Sequence, residues 1–233
     1  MKNNKLLIAL AIAACSSVAM ANDGKIDYTF NLKSWNNSIT TKNSSSSSST
    51  TLQSANAPII GLTARKGDYF VTFSTMLQNS YNFKDSTQTT WIARKDRDFA
   101  LGYRYTPNIS IFTGFKTFNI HDGSLGYTNW KEEYSGLYVG LSGFNLINET
   151  TFLYGNLWIT PTSMSQKKTA QADTVTNMKA VNYEVGAGYA LSNSSQLTFG
   201  YRIQDMKSTN TTQSNRTETT TMKGFLVGAN INF

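Results

Sequence analysis

Short stretches of this chain change character at every second residue. Phe99, Leu101, Tyr103 and Tyr105 alternate with Asp98, Ala100, Gly102 and Arg104, and Leu197, Phe199, Tyr201 and Ile203 alternate with Gln196, Thr198, Gly200, Arg202 and Gln204. Ile26–Leu32, Val181–Leu191 and Phe225–Phe233 repeat the pattern. Successive side chains of a strand point to opposite faces, so a period of two sets one face in an apolar medium and the other in a polar one. After Ala21 no apolar run reaches eighteen residues, so no transmembrane helix is available. Composition agrees: Asn, Ser and Thr take the places of helix formers, which argues against a helix-rich enzyme. With aromatics at 12% and charged residues at only 15%, the chain is not a disordered one either.

Five further segments fit the pattern less sharply: 57–65, 68–78, 108–120, 134–144 and 151–160. In the last, Phe152, Tyr154 and Trp158 oppose Leu153, Leu157 and Ile159, and neither face is plainly polar. The total is about ten strands of roughly 9–13 residues, the length a tilted membrane-crossing strand needs. Eight or twelve strands remain compatible with the weaker segments. Tight connections at 66–67, 106–108, 145–148 and 192–195 alternate with long polar ones at 36–55, 79–95, 121–133, 161–178 and 207–221, where Ser44 to Ser49 is an unbroken serine run. Short turns alternating with long loops predict an all-β, up-and-down antiparallel transmembrane β-barrel, both termini on the short-turn side.

A soluble barrel would turn its apolar face inward. Here Arg, Lys, Asp and Glu share their faces with Gly, and a mid-depth Arg or Lys facing lipid would cost about 2–4 kcal/mol. The charges Asp98, Arg104, Lys116, Glu184 and Arg202 are therefore expected to line the lumen. Folding the chain back across 106–108 brings Asp98 beside Lys116, and across 192–195 it brings Glu184 beside Arg202, so ion pairs are expected there. Gly67 suits a tight Lys66-Gly67 turn that would pair Arg65 with Asp68. Inward glycines such as Gly102, Gly114, Gly186 and Gly188 argue for some open space in the bore. Trp35, Trp91, Tyr28, Tyr69, Tyr105 and Tyr189 are expected in interfacial girdles.

Residues 1–21 read as a secretory signal peptide: Lys2 and Lys5, an apolar run from Leu6 to Ala14, and an Ala19-Met20-Ala21 cleavage box. Cys15 also loosely fits a lipoprotein box, with acylation as the alternative to removal. Residues 22–233 are then one barrel domain without cysteine, disulfides or thiolate sites. Removing the two leader lysines from 21 cations leaves 19 against 14 carboxylates, a net +5 spread along the chain and no nucleic-acid footprint. A single His and no Cys/His cluster point to no metal and no cofactor.

The chain ends with Phe225, Val227, Ala229, Ile231 and Phe233 on one face. This resembles the C-terminal signature of Gram-negative outer-membrane β-barrels, which the outer-membrane assembly machinery recognises. Ser34-Trp35-Asn36-Asn37 is similar to the end of the first strand in small porin-like barrels of that class. The resemblance implies an outer-membrane location, with outer-membrane lipids, lipopolysaccharide and the assembly machinery as partners. The architecture itself fits a narrow porin-like passive channel for small solutes; the alternative is a structural or surface-interaction barrel with a closed lumen. Arg94, Lys95 and Arg97 are candidates to meet lipopolysaccharide phosphates. A remote alternative is an outer-membrane hydrolase. Omptin proteases are also ten-stranded and use acidic residues with a His at the rim, and this chain has Asp96, Asp98, His121 and Asp122 near one another in sequence order along two strands. The His121-Asp122 spacing departs from the omptin Asp-x-His pattern, and the expectation is that the protein is not an enzyme.

Overall fold

A computed structural model describes residues 25–44, 49–82, 91–122, 131–169, 176–210 and 216–233. The leader, Cys15 and the cleavage site after Ala21 lie outside these residues. The strands are β1 (Asp27–Asn43), β2 (Ser49–Thr51), β3 (Ala55–Lys66), β4 (Tyr69–Asn82), β5 (Trp91–Thr106) and β6 (Ile109–Asp122), then β7 (Lys131–Leu146), β8 (Thr151–Ile159), β9 (Ser165–Thr169), β10 (Thr176–Ala190), β11 (Ser195–Asn210) and β12 (Arg216–Asn232). Neighbours pair antiparallel in chain order, and β12 also pairs with β1, so ten long strands close into a barrel. The seam is sealed to its end, where Phe233 N donates to Tyr28 O at 2.9 Å. The short β2 and β9 continue the walls begun by β3 and β8, pairing with β1 and β7 respectively. Between β8 and β9 lies Pro161, which has no N–H to give a ladder; the adjacent Thr160 Oγ1 accepts from Ala180 N at 2.7 Å instead.

At one end the connections are short. Gly67 carries a positive φ of 59°. Lys66 pairs with Tyr69, so the turn residues are Gly67-Asp68, one place on from the expected Lys66-Gly67. Arg65 consequently faces Phe70, and Asp68 pairs with Arg104 at 3.0 Å. At the other end strand pairing continues into the segments expected to be loops, through Asn43, Asn82, Asp122 and Asn210. Threonine hydroxyls cross the ladder there, as in the Thr40–Thr51 and Thr41–Thr220 pairs, and β-branched polar residues extend a strand without needing an apolar face.

Leu101, Phe99, Leu137, Val185, Phe199, Phe225 and Val227 stand exposed on the outer wall. Tyr69, Tyr105 and Tyr189 stand exposed near the turn end. In contrast Trp35 points into the bore and is fully buried, because it shares parity with Lys33 and Asn37 and not with Leu32. The girdle expectation for Trp35 is corrected on that ground. In β8 the parity is settled by its neighbours: Phe152 and Tyr154 turn inward over Gly188 and Gly186, and Leu153 and Ile159 turn outward.

A bulge breaks the parity of β4. Met76 lies opposite Asp96 and Asn79 opposite Arg94, so β4 spends one extra residue there. Inward positions change from even (Phe70, Thr72, Ser74, Met76) to odd (Asn79, Tyr81), and Tyr81, expected in a loop, becomes a buried residue of the interior.

Candidate functional site in the bore

The interior divides into two parts along the barrel axis. Toward the turn end lies a polar chamber of about 300 Å³, whose wall includes Asn31, Thr72, Asn156 and Asn182. A second cavity of about 270 Å³ continues from it to the turns at Pro107, Asn108 and Phe144, and the two share Lys33, Ser142, Asn156 and Glu184. Toward the loop end the bore is filled. Trp35, Met76, Tyr81, Phe118, Met206, Met222 and Leu226 form one buried apolar cluster there. Trp35 and Met76 belong both to this cluster and to the chamber wall, so the Trp35 ring forms part of the floor between them. The ring is held by its own Nε1, which donates to Gly224 O at 3.3 Å across the β1–β12 seam.

One cation crosses the filled section. Arg94 of β5 is only 1% exposed. Its Nε and Nη2 donate to the two oxygens of Asp96 at 2.7 and 2.8 Å. Its far side reaches the opposite wall, where Nη2 donates to Gln204 Oε1 at 3.2 Å and Nη1 donates to the sulfurs of Met206 and Met222. The Phe118 ring lies 4.6 Å from the guanidinium. β5 and β11–β12 are on opposite sides of the ten-strand ring, so this side chain spans the bore. Arg94, expected among outward basic residues, is thus an interior strut; Lys95 and Arg97 retain the outward parity.

The charges named from the sequence fall into three groups. Asp98 lies directly opposite Lys116, with 3.5 Å between Lys116 Nζ and its carboxylate; the same ammonium is 3.1 Å from Asp96, and Tyr138 Oη donates to Asp98. Glu184 lies opposite Arg202 and accepts from it through Oε2, while Lys33 reaches Glu184 Oε1 at 3.0 Å. Arg202 also stands 5.1 Å from the centre of the Trp35 ring. Arg104 is separate: it sits near the turn end with Asp68 and belongs to the lower cavity only. The sequence-level reading lacked Arg94, Asp96, Lys33 and Trp35 as members of this interior. Their inward parity with the named residues was the available signal.

Four of the inward glycines do not leave open space. An added Cβ on Gly102 would enter the Phe70 ring and on Gly188 the Phe152 ring, while on Gly140 it would meet the Phe112 ring and Leu157 O, and on Gly114 the Tyr138 ring and Phe99 O. Each glycine–ring pair is directly cross-strand. The glycines are seats for rings, and the rings narrow the bore.

His121 does not join the acidic residues. It is exposed at the end of β6, one residue out of phase with Lys116 and Phe118, whereas Asp96 and Asp98 face inward. Adjacent strands carry these groups, but opposite parity separates them by the wall.

A closed antiparallel barrel with an apolar outer wall and a polar, ion-paired interior defines the class: an outer-membrane-type β-barrel. One solved structure of known fold supports this. The outer membrane protease OmpT of Escherichia coli is 11% identical, matches over 93% of this chain and 100% of its own, and superposes with a TM-score of 0.56. The Pseudomonas putida toluene transporter TodX is 8% identical over 91% of this chain and 90% of its own, at 0.41. Neisserial surface protein A is 11% identical over 92% and 100%, at 0.36. At these identities the likeness is one of fold. No protein-family model and no curated protein sequence matches the chain.

Proposed function

We propose that this protein is an integral outer-membrane barrel that is closed at rest, with its polar chamber facing the periplasm and its surface end doing the work. The observation that carries the reading is the Arg94 strut set in the Trp35–Met222 cluster. Water and ions need an open polar path, and here the bore is packed by Trp35, Tyr81, Phe118, Met206 and Met222 around a hydrogen-bonded Arg94. A buried guanidinium held on both sides adds a charge that a permeating cation would have to pass. The chamber below would serve as a water-filled vestibule whose fixed ions are mutually compensated. The second reading, a narrow channel for small solutes, draws its support from the chamber itself, a polar space inside the bore.

Planar-bilayer recording separates the two. Refolded mature chain is expected to give a flat trace. Trp35→Ala combined with Met222→Ala removes part of the floor and one strut contact, and is expected to produce discrete steps. Steps from the unaltered chain would establish the channel reading in its place. Comparing heated and unheated samples on a gel confirms that each variant tested is a folded barrel.

A further inference from the structure

The lower cavity differs from the chamber above it in charge. In the chamber the ions compensate one another: Glu184 is held by Lys33 and Arg202, and Asp96 and Asp98 by Lys116. The cavity at the turn end gathers Lys33, Arg65 and Arg104 around one carboxylate, Glu184. Both oxygens of that carboxylate are taken, Oε1 by Lys33 and Oε2 by Arg202. Arg104 has Asp68 at the turn. Arg65 has no ion pair among the described residues, although Asp27 lies opposite it in the β1–β3 ladder. Its Nε is buried without a hydrogen-bond partner. So is Oδ1 of Asn156, a residue shared by the cavity and the chamber. Buried polar groups are normally paired, so a donor and an acceptor left open on one wall call for a polar occupant.

Above Asn156 the wall changes from cationic to neutral polar. Asn31, Thr72, Ser74 and Asn182 face the chamber with amides and hydroxyls. Ser110 and Ser142, directly opposite each other on β6 and β7, face the lower cavity. Amides and hydroxyls around a concave site suit a ligand's hydroxyl groups, and a free guanidinium fork suits an oxyanion through two parallel hydrogen bonds. The compartments, about 300 and 270 Å³, together fall in the size range of small-molecule sites.

We infer that the turn-end half of the bore is a binding site for a small anionic sugar, a sugar phosphate or a sugar acid. Its oxyanion rests on Arg65, with Arg104 and Lys33 adding charge, and its hydroxyl groups reach past Asn156 into the chamber. The cavity extends to the turns at Pro107 and Asn108, so such a ligand enters from the periplasm and stops at the floor that includes Trp35. The inference rests on the closed, periplasm-facing chamber proposed above and gives that chamber an occupant.

The test is calorimetric titration of the refolded mature chain, in a neutral detergent, with glucose 6-phosphate, glucuronate, glucose and inorganic phosphate. One of the two anionic sugars is expected to bind about tenfold more tightly than glucose or inorganic phosphate, because it alone fills both compartments; which one does so identifies the oxyanion. Arg65→Gln is expected to weaken that binding about tenfold, the loss of a charge-assisted contact. Arg65→Lys keeps the charge without the fork and should lose less. Asn156→Ala should weaken the anionic sugar and leave inorganic phosphate unchanged. Lys223→Gln, which removes an exposed charge on the outer wall, should change binding less than about twofold. The preferred sugar should also raise the urea midpoint of the parent and leave that of Arg65→Gln unmoved. Heat-dependent gel mobility establishes that each variant compared is a folded barrel. No binding of either anionic sugar at millimolar concentration, equal affinity for inorganic phosphate, or equal losses for Arg65→Gln and Lys223→Gln would overturn the site. Conductance steps from the unaltered chain with these affinities intact would overturn the closed reading and support the site.

Discussion

Asp96→Asn is expected to lower the stability of the barrel by about 3–5 kcal/mol, the cost of stranding a buried charge by removing its partner. Asp96 receives two hydrogen bonds from Arg94 and lies 3.1 Å from Lys116, so one carboxylate compensates two interior cations. Lys116 keeps Asp98 after the change. Arg94 keeps only the Gln204 oxygen, two thioethers and the Phe118 ring. Arg94→Met has a smaller expected cost, because Asp96 retains Lys116 and the new side chain joins the Met206–Met222 cluster. Combining the two should restore much of what Asp96→Asn alone loses, since replacing a buried pair by packed apolar groups is often neutral. Urea unfolding in lipid vesicles gives all three values. Equal losses for Asp96→Asn and Arg94→Met would mean that the two residues act as packing volume, with no strut between the walls.

Gly102→Val is expected to cost about 1–3 kcal/mol, the usual range for overfilling a packed interior. The three heavy atoms nearest its new Cβ all belong to the Phe70 ring, directly across the strand pair. Phe70→Ala in the same chain should therefore recover most of the loss. Gly186 provides the contrast. Its Cβ would meet the Tyr154 ring at 2.7 Å and also the carbonyl oxygen of Phe199, which is backbone. Tyr154→Ala should then fail to rescue Gly186→Val. The measurement is the same urea series, read as two double-mutant cycles. Rescue in both cycles, or in neither, would defeat the view that the ring alone is the occupant at Gly102.

The interior ion pairs and the glycine seats differ in how visible they are beforehand. Asp98 and Lys116 flank a short turn, as do Glu184 and Arg202, so counting back from the turn brings each pair to one height. Lys33 and Glu184 are 151 residues apart and meet only because β12 pairs with β1 and closes the ring. Arg94 looked like one of three surface cations because its neighbours in sequence are Lys95 and Arg97. A strand alternates these three between two faces, and only the register of β5 against β4 and β6 shows which face is inward at that height. Tyr81 was hidden for a different reason: its side depends on a single extra residue in β4, and nothing in the local alternation marks where a bulge falls.

The alternation of side chains is a local property, fixed by the geometry of an extended backbone. It was enough to assign the barrel class, the outward apolar wall and the inward charges on β5, β6, β10 and β11. Which residues share a height across the bore depends on hydrogen bonding between strands far apart in the chain, and on ring closure. Those non-local bonds decided that Trp35 is part of a floor, that glycines are seats for rings and that Arg94 reaches the opposite wall.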